Sequence, residues 1–128
     1  MTVTILLNSA VMPAEGIYTL RRVSREFFAE LVADAHRRGE LRSYIGYPET
    51  AQHIERISGV PIPVNRAATV LPDQALIAIC KLAYRVSDPN AKGQLRPSNE
   101  DFEYFIATYD RNHLRWRIVN ELQPSQAA

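Results

Sequence analysis

The sequence predicts an α/β (α+β) protein: a single small domain with a mixed, mainly antiparallel β-sheet and flanking helices. Three observations lead there. Short β-branched and leucine-rich runs recur along the chain, and one stretch carries a 3.6-residue apolar stripe. The links between several runs are also too short for crossover helices. Length agrees, since 128 residues make one ordinary domain, large enough to bury roughly two-thirds of its unfolded surface. The domain is assigned to residues 1–122 and a flexible tail to residues 123–128.

The elements follow in order. "VTILLN" (Val3–Asn8) reads as a strand covered on both faces, and "IYTLRRV" (Ile17–Val23) as a second, with Gly16 in the turn before it. Ser24 is a natural N-cap for the helix "REFFAELVADAHRRG". Phe27, Leu31 and Ala35 share one face of it, with Phe28 and Val32 beside them. Glu26 in its first turn and Arg37 and Arg38 in its last match the helix dipole, and Gly39 is the expected stop.

"LRSYIG" (Leu41–Gly46) is a short strand. Thr50 is placed to cap a helix running to Ser58, with Ala51, Ile54 and Ile57 inward and Gly59 ending it. "VPIPVN" is extended, because each proline pushes its predecessor out of helical space, and it belongs at an edge or outside the sheet. "RAATVLP" is read as a strand ending at Pro72, with Asp73 in a turn. The most apolar run, "ALIAICKLAYR" (Ala75–Arg85), is read as a strand in preference to a buried helix, because a turn precedes it and the polar stretch 86–97 follows. Ser98 with Asp101 resembles a capping box introducing a helix, "EDFEYFIATYDR", with Phe102, Phe105, Ile106 and Tyr109 facing one way. "LRWRIV" (Leu114–Val119) reads as a last strand. The order is therefore β-β-α-β-α-β-β-α-β.

Composition narrows the function classes. A formal net charge of +1 gives no overall basic field of the kind that coats nucleic acid. The lone Cys80 cannot form an intramolecular disulfide and sits in an apolar run, as a core thiol does. Residues 1–12 lack a signal-peptide pattern, and no apolar run approaches the ~20 residues that span a bilayer. A cytoplasmic protein with no membrane partner is expected. His36, His53 and His113 are far apart in sequence and Cys80 has no neighbour at ligand spacing, so neither a metal site nor a cofactor is expected. No phosphate loop, dinucleotide fingerprint or nucleophile elbow occurs.

What remains is a set of polar groups next to strand ends, where α/β proteins bind ligands. Asn8 and Ser9 end the first strand. Gly46, Tyr47 and Thr50 lie at the mouth of the short helix, where free backbone N–H groups receive phosphate. Asn65 and Arg66 follow the proline segment, and Arg85 and Asp88 follow the long apolar strand, with Arg85 suited to gripping a phosphate bidentately. Plainer readings stand beside these: a turn for Asn8, a surface ion pair for Arg85 with Asp88, an aromatic cover for Tyr47, a loop brace for Asn65 and Arg66.

"LLN", "YIGYPETAQHIERISG", "VNR" and "DQALIAICKLAYR", taken in that order and spacing from Val3 to Asp88, resemble a small viral and bacterial family first described from archaeal viruses, the B116-like proteins. Some of its members are anti-CRISPR ring nucleases. The resemblance implies a homodimer with a mixed sheet that binds cyclic tetra-adenylate across its two-fold axis. It implies metal-free cleavage by ribose 2′-hydroxyls, giving linear fragments with cyclic phosphate ends and ending type III CRISPR signalling. By position, it gives Asn8, Gly46, Thr50 and Arg85 ligand-binding roles, and Tyr47 and Asp88 catalytic ones; Ser9 and Arg66 are added to the ligand-binding set from their places in the chain alone. Two departures matter: Tyr47 stands where the family has its catalytic histidine, and the ligand-contacting serine after the first strand is replaced around Val11.

The tyrosine changes the chemistry expected. The 2′-hydroxyl must lose a proton, the leaving 5′ oxygen must gain one, and charge on the phosphate must be stabilised. Histidine shuttles protons near neutrality, whereas tyrosine, with a reference pKa of roughly 10, does so poorly. It can still bond a phosphate or stack on adenine. The expectation is a homodimeric binder of cyclic oligoadenylate with slow cleavage at most. The alternative is a non-enzymatic module meeting protein or nucleic acid in phage or host defence. Arg21, Arg22, Arg25, Arg37 and Arg38, and the Arg115 and Arg117 pair flanking Trp116, would then form its surface.

Overall fold

The computed structural model describes residues 3–12, 16–83 and 101–110. Among them the chain forms β1 (Thr4–Leu7), β2 (Ile17–Val23), α1 (Arg25–Arg37), β3 (Leu41–Ser43), α2 (Pro48–Ser58), β4 (Leu76–Leu82) and β5 (Phe102–Asp110). The strands make one mixed sheet in the order β2-β5-β4-β1-β3. β1 runs parallel to both β3 and β4, and β5 runs antiparallel to both β4 and β2. The expected single domain with a mixed sheet and helices is thus found, with a larger parallel share than the short links suggested.

All four residues of β1 are buried, so the strand is covered on both faces and reads as an unbroken apolar run. On one face Leu6, Ala78, Cys80, Phe102 and Tyr104 pack against Phe28 and Val32 of α1 and Ala51 and Ile54 of α2. On the other, Ile5, Leu7, Ile77, Ile79, Ala107 and Tyr109 gather with Leu71 and Ala75. Cys80 lies fully inside, and burial pushes its thiol pKa up.

Ser24 caps α1 as expected, its Oγ accepting from the Phe27 N–H at 3.1 Å. The stripe is rotated from the one expected: Phe28, Val32 and Ala35 are buried, while Phe27 is 48% exposed. The true centre is the i, i+4, i+7 row, and Phe27 falls outside it. At the other end Asp34 accepts from Arg37 at 2.6 Å and from Arg38 at 2.9 Å, and these bonds hold its carboxyl below the usual carboxylate range.

Four sequence expectations change. Residues 102–110 are a strand, not a helix. The segment lies between β2 and β4 and is covered on both faces, so the polar–apolar alternation that marks a strand is blurred; its Phe and Tyr residues suit a strand well. Residues 66–72 form no strand; Leu71 anchors the stretch in the second apolar cluster and Asp73 turns it. Thr50 does not cap α2, because the helix starts at Pro48 with Tyr47 as N-cap and no side-chain cap bond. His53, beside the inward stripe of α2 and expected from that place to be a half-buried surface residue, is fully buried. Leu114–Val119, Ser98 and the tail 123–128 lie outside the described residues.

His53 joins α2 to β5. Its ring stacks on Phe102 at 4.0 Å, Nε2 is 2.6 Å from the Tyr104 hydroxyl, and Nδ1 is 3.2 Å from Arg56 Nη2. A guanidinium only donates, so Nδ1 accepts, and Nε2 carries the proton and donates to Tyr104. Burial pushes the His53 pKa down from 6.5 to about 4, and the charges of Arg56 and Arg25 push the same way. Burial also pushes the Tyr104 phenol up. The unfolded chain therefore binds a proton below 6.5 that the folded chain refuses until about 4. Stability should be flat with respect to this group above that window and fall as pH drops through it. Thermal unfolding of wild type and His53→Gln from neutral to acid pH checks this. The melting temperature of the variant is expected to fall less steeply across the window.

Candidate functional site

The parallel pairing of β1 with β3 and β4 brings their carboxyl ends to one edge of the sheet, and α2 starts there. The β1–β3 ladder runs on past the strand ends. Tyr44 donates its N–H to the Leu6 carbonyl at 2.9 Å; two residues later, Gly46 donates to Asn8 Oδ1, also at 2.9 Å. The asparagine side chain thus supplies the oxygen that the next carbonyl of a longer strand would have supplied.

From the opposite side the proline segment closes the same joint. Ser43 Oγ donates to the Pro63 carbonyl at 2.9 Å, and the Asn65 backbone N–H donates to the Ile45 carbonyl at 2.8 Å. Asn65 Nδ2 reaches the Ser43 carbonyl at 3.1 Å, while its Oδ1 accepts from the Ala67 N–H at 3.0 Å. Arg66 Nε then donates to the Gly46 carbonyl at 2.8 Å, and its guanidinium carbon lies over the Tyr47 ring, 6.0 Å from the ring centre. Both polar groups of Gly46 are engaged, by residues from two separate loops.

Four residues singled out in the sequence, Asn8, Gly46, Tyr47 and Arg66, therefore meet at one joint. Ser9 is exposed nearby, with its Oγ accepting from the Val11 N–H at 3.4 Å. Thr50, in the first turn of α2, is only 3% exposed, which leaves it little surface to offer a ligand. Arg85 and Asp88 lie outside the described residues, as do Arg115, Trp116 and Arg117. Sequence reasoning missed the bracing role of Ser43, whose partner is twenty residues away and carries no local signal.

The helix mouth has fewer backbone donors to give than the stretch Gly46–Thr50 suggests. The Gly46 N–H is taken by Asn8, Pro48 has none to give, the Ala51 N–H donates to the Tyr47 carbonyl, and Glu49 puts an acid in the first turn. The positive charge at the joint comes from Arg66 among the described residues. Several other arginines are committed to carboxylates: Arg22 to Glu103, Arg25 to Glu26, Arg37 and Arg38 to Asp34. No group of His, Cys, Asp and Glu fit to hold a metal occurs among the described residues. No helix among them is long and apolar enough to cross a membrane.

Fold and contacts together define a small α+β domain with a polar joint at the carboxyl ends of parallel strands. The sequence profile of the STIV B116-like family matches residues 4–109, so the chain belongs to that family, the one its motifs resemble. The structure is similar to that of B116 of Sulfolobus turreted icosahedral virus, with a TM-score of 0.64 and 14% sequence identity, covering 82% of this chain and 97% of that one. At that identity the likeness is one of fold. No curated protein matches the chain.

Asn8→Ala should leave the half-buried Gly46 N–H without its acceptor, a loss of about 1 kcal/mol. Asn8→Asp keeps an acceptor there and should lose less. Thermal unfolding checks the pair, with a drop of about 2–6 °C expected for the alanine variant and a smaller one for the aspartate variant.

Proposed function

We propose that the protein is a homodimeric binder of cyclic oligoadenylate, of the cyclic tetra-adenylate size, that cleaves its phosphodiesters slowly without metal and so modulates type III CRISPR signalling. The observation that carries this reading is the meeting of Asn8, Gly46, Tyr47 and Arg66 at the carboxyl end of β1 in a chain of the STIV B116-like family.

The chemistry suits a site that supplies position and charge more than proton transfer. The ribose 2′ oxygen forms a bond to phosphorus as the bond to the 5′ oxygen breaks. The 2′ proton leaves and the 5′ oxygen gains one, giving a cyclic phosphate and a free 5′-hydroxyl. Arg66 is placed to stabilise the phosphate, and the braced Gly46 joint fixes Tyr47 beside it. With tyrosine in place of a histidine, proton donation to the leaving oxygen is weak, so binding outlasts catalysis. Asp88 and Arg85 would complete the site as the assisting acid and a second phosphate-binding cation.

Labelled cyclic tetra-adenylate, incubated with pure protein in the presence of a metal chelator, should be retained at micromolar protein and converted over hours to linear fragments. Neither retention nor turnover would overturn the reading. Tyr47→His should raise the cleavage rate by about 10²-fold or more; an unchanged rate would remove Tyr47 from the chemistry.

A further inference from the structure

We infer that β2 is a self-pairing edge: two copies of the chain join β2 to β2, antiparallel, about a two-fold axis perpendicular to the sheet that passes through Leu20. The inference goes beyond the function proposed above and does not rest on it. β2 and the Gly46 joint lie toward opposite edges of the sheet, so a ligand-sharing contact at the joint would be a second, separate interface. β2 ends the strand order, and among the described residues its one neighbour strand is β5. The ladder with β5 is unbroken, from Ile17 opposite Asp110 to Val23 opposite Tyr104. The middle of the strand, Thr19–Arg22, is exposed at every residue. Such an edge is a template for another strand, and proteins commonly blunt it with a proline or a bulge. β2 has neither, and its central residue, Leu20, is a large apolar side chain that is 50% exposed.

A second copy fits this edge because the strand matches itself in one register. Rotation about an axis perpendicular to the sheet keeps each side chain on its own face, and directly opposite residues of an antiparallel pair share a face. The axis must therefore pass through a residue and not between two. Through Leu20, all seven residues of β2 find a partner. Leu20 meets its own copy, Arg21 meets the partner's Thr19, Arg22 the partner's Tyr18 and Val23 the partner's Ile17, with no like charges opposite one another. Through Arg21, two guanidinium groups would stand directly opposed, which is destabilising. Through Thr19, Arg22 and Val23 would have no strand residue facing them. Leu20 lies opposite Ala107 of β5, so the leucine pair extends the apolar face that holds Ala107 and Ile77. Arg22 is 3.1 Å from Glu103, which offsets its charge before a second strand arrives. The two copies of Arg21 lie diagonal to one another, about 7–8 Å apart, and repel weakly. Two five-stranded sheets thereby become one continuous sheet, closed by a two-fold contact of the same surface on both copies.

Analytical ultracentrifugation of the full chain reads the association, and cross-linking reads the register. Leu20→Lys places two ammonium groups on the axis and should halve the sedimenting mass. Arg21→Gln removes the diagonal repulsion and should tighten association by about two- to fivefold. Under mild oxidation Leu20→Cys should give a covalent dimer, since directly opposite Cα atoms stand about 4.5–5.5 Å apart, within disulfide reach. Thr19→Cys, facing the partner's Arg21, should not, and the buried Cys80 does not compete. Equal masses for wild type and Leu20→Lys would overturn the pairing: two monomers would leave the edge to a strand of a different protein, and two dimers would move the two-fold elsewhere. Cross-linking of Thr19→Cys as readily as Leu20→Cys would overturn the register.

Discussion

The Gly46 peptide is the joint on which the site depends. Its N–H is held by the side chain of Asn8 and its carbonyl by the side chain of Arg66, so three segments distant in sequence meet at one amide. Neither bond belongs to a regular ladder, yet together they set where β3 ends and α2 begins. Asn8 also extends the β1–β3 pairing by one step, which ties the joint to the most buried strand of the sheet. A side chain substituting for a missing carbonyl satisfies the amide without lengthening β1, and the chain is free to turn at Ser9.

A second polar contact holds the other side of α2. His53 is buried between Phe102, Tyr104 and Arg56, with both ring nitrogens bonded, and so helix and sheet are registered by hydrogen bonds as well as by apolar packing. The helix is therefore fixed at its start by the Gly46 joint and along its length by His53. Tyr47, between those anchors, inherits its position from both.

What the sequence disclosed follows from where each signal was local. Ser24 and the glycine stops act on their own neighbours, so the bounds of α1 and the end of α2 were readable from short spacing rules. β1 and β4 were readable as strands from unbroken apolar runs between turns. β5 was misread because a strand covered on both faces loses its alternation, and an acidic stretch before aromatics imitates a helix start. Thr50 was misread as a cap because Pro48 starts the helix two residues earlier. Asn8, Gly46, Tyr47 and Arg66 were singled out from their places next to strand ends and a helix start. Their contacts were not readable, because Asn8 and Gly46 are 38 positions apart and Arg66 and Gly46 are 20. Pairing across such distances is decided by sheet order, and the order here places β1 between two strands that come later in the chain.

The commitment of the Gly46 amide changes how the start of α2 can meet an anion. A helix mouth with free N–H groups receives phosphate through several fixed dipoles. Here Asn8 takes the Gly46 donor, Pro48 has none, and Glu49 adds a negative charge, so the start of α2 offers an anion fewer fixed dipoles. Arg66 is exposed, and an exposed charge pair contributes about 1 kcal/mol or less and is screened by salt. A phosphate alone would therefore be held weakly by these residues.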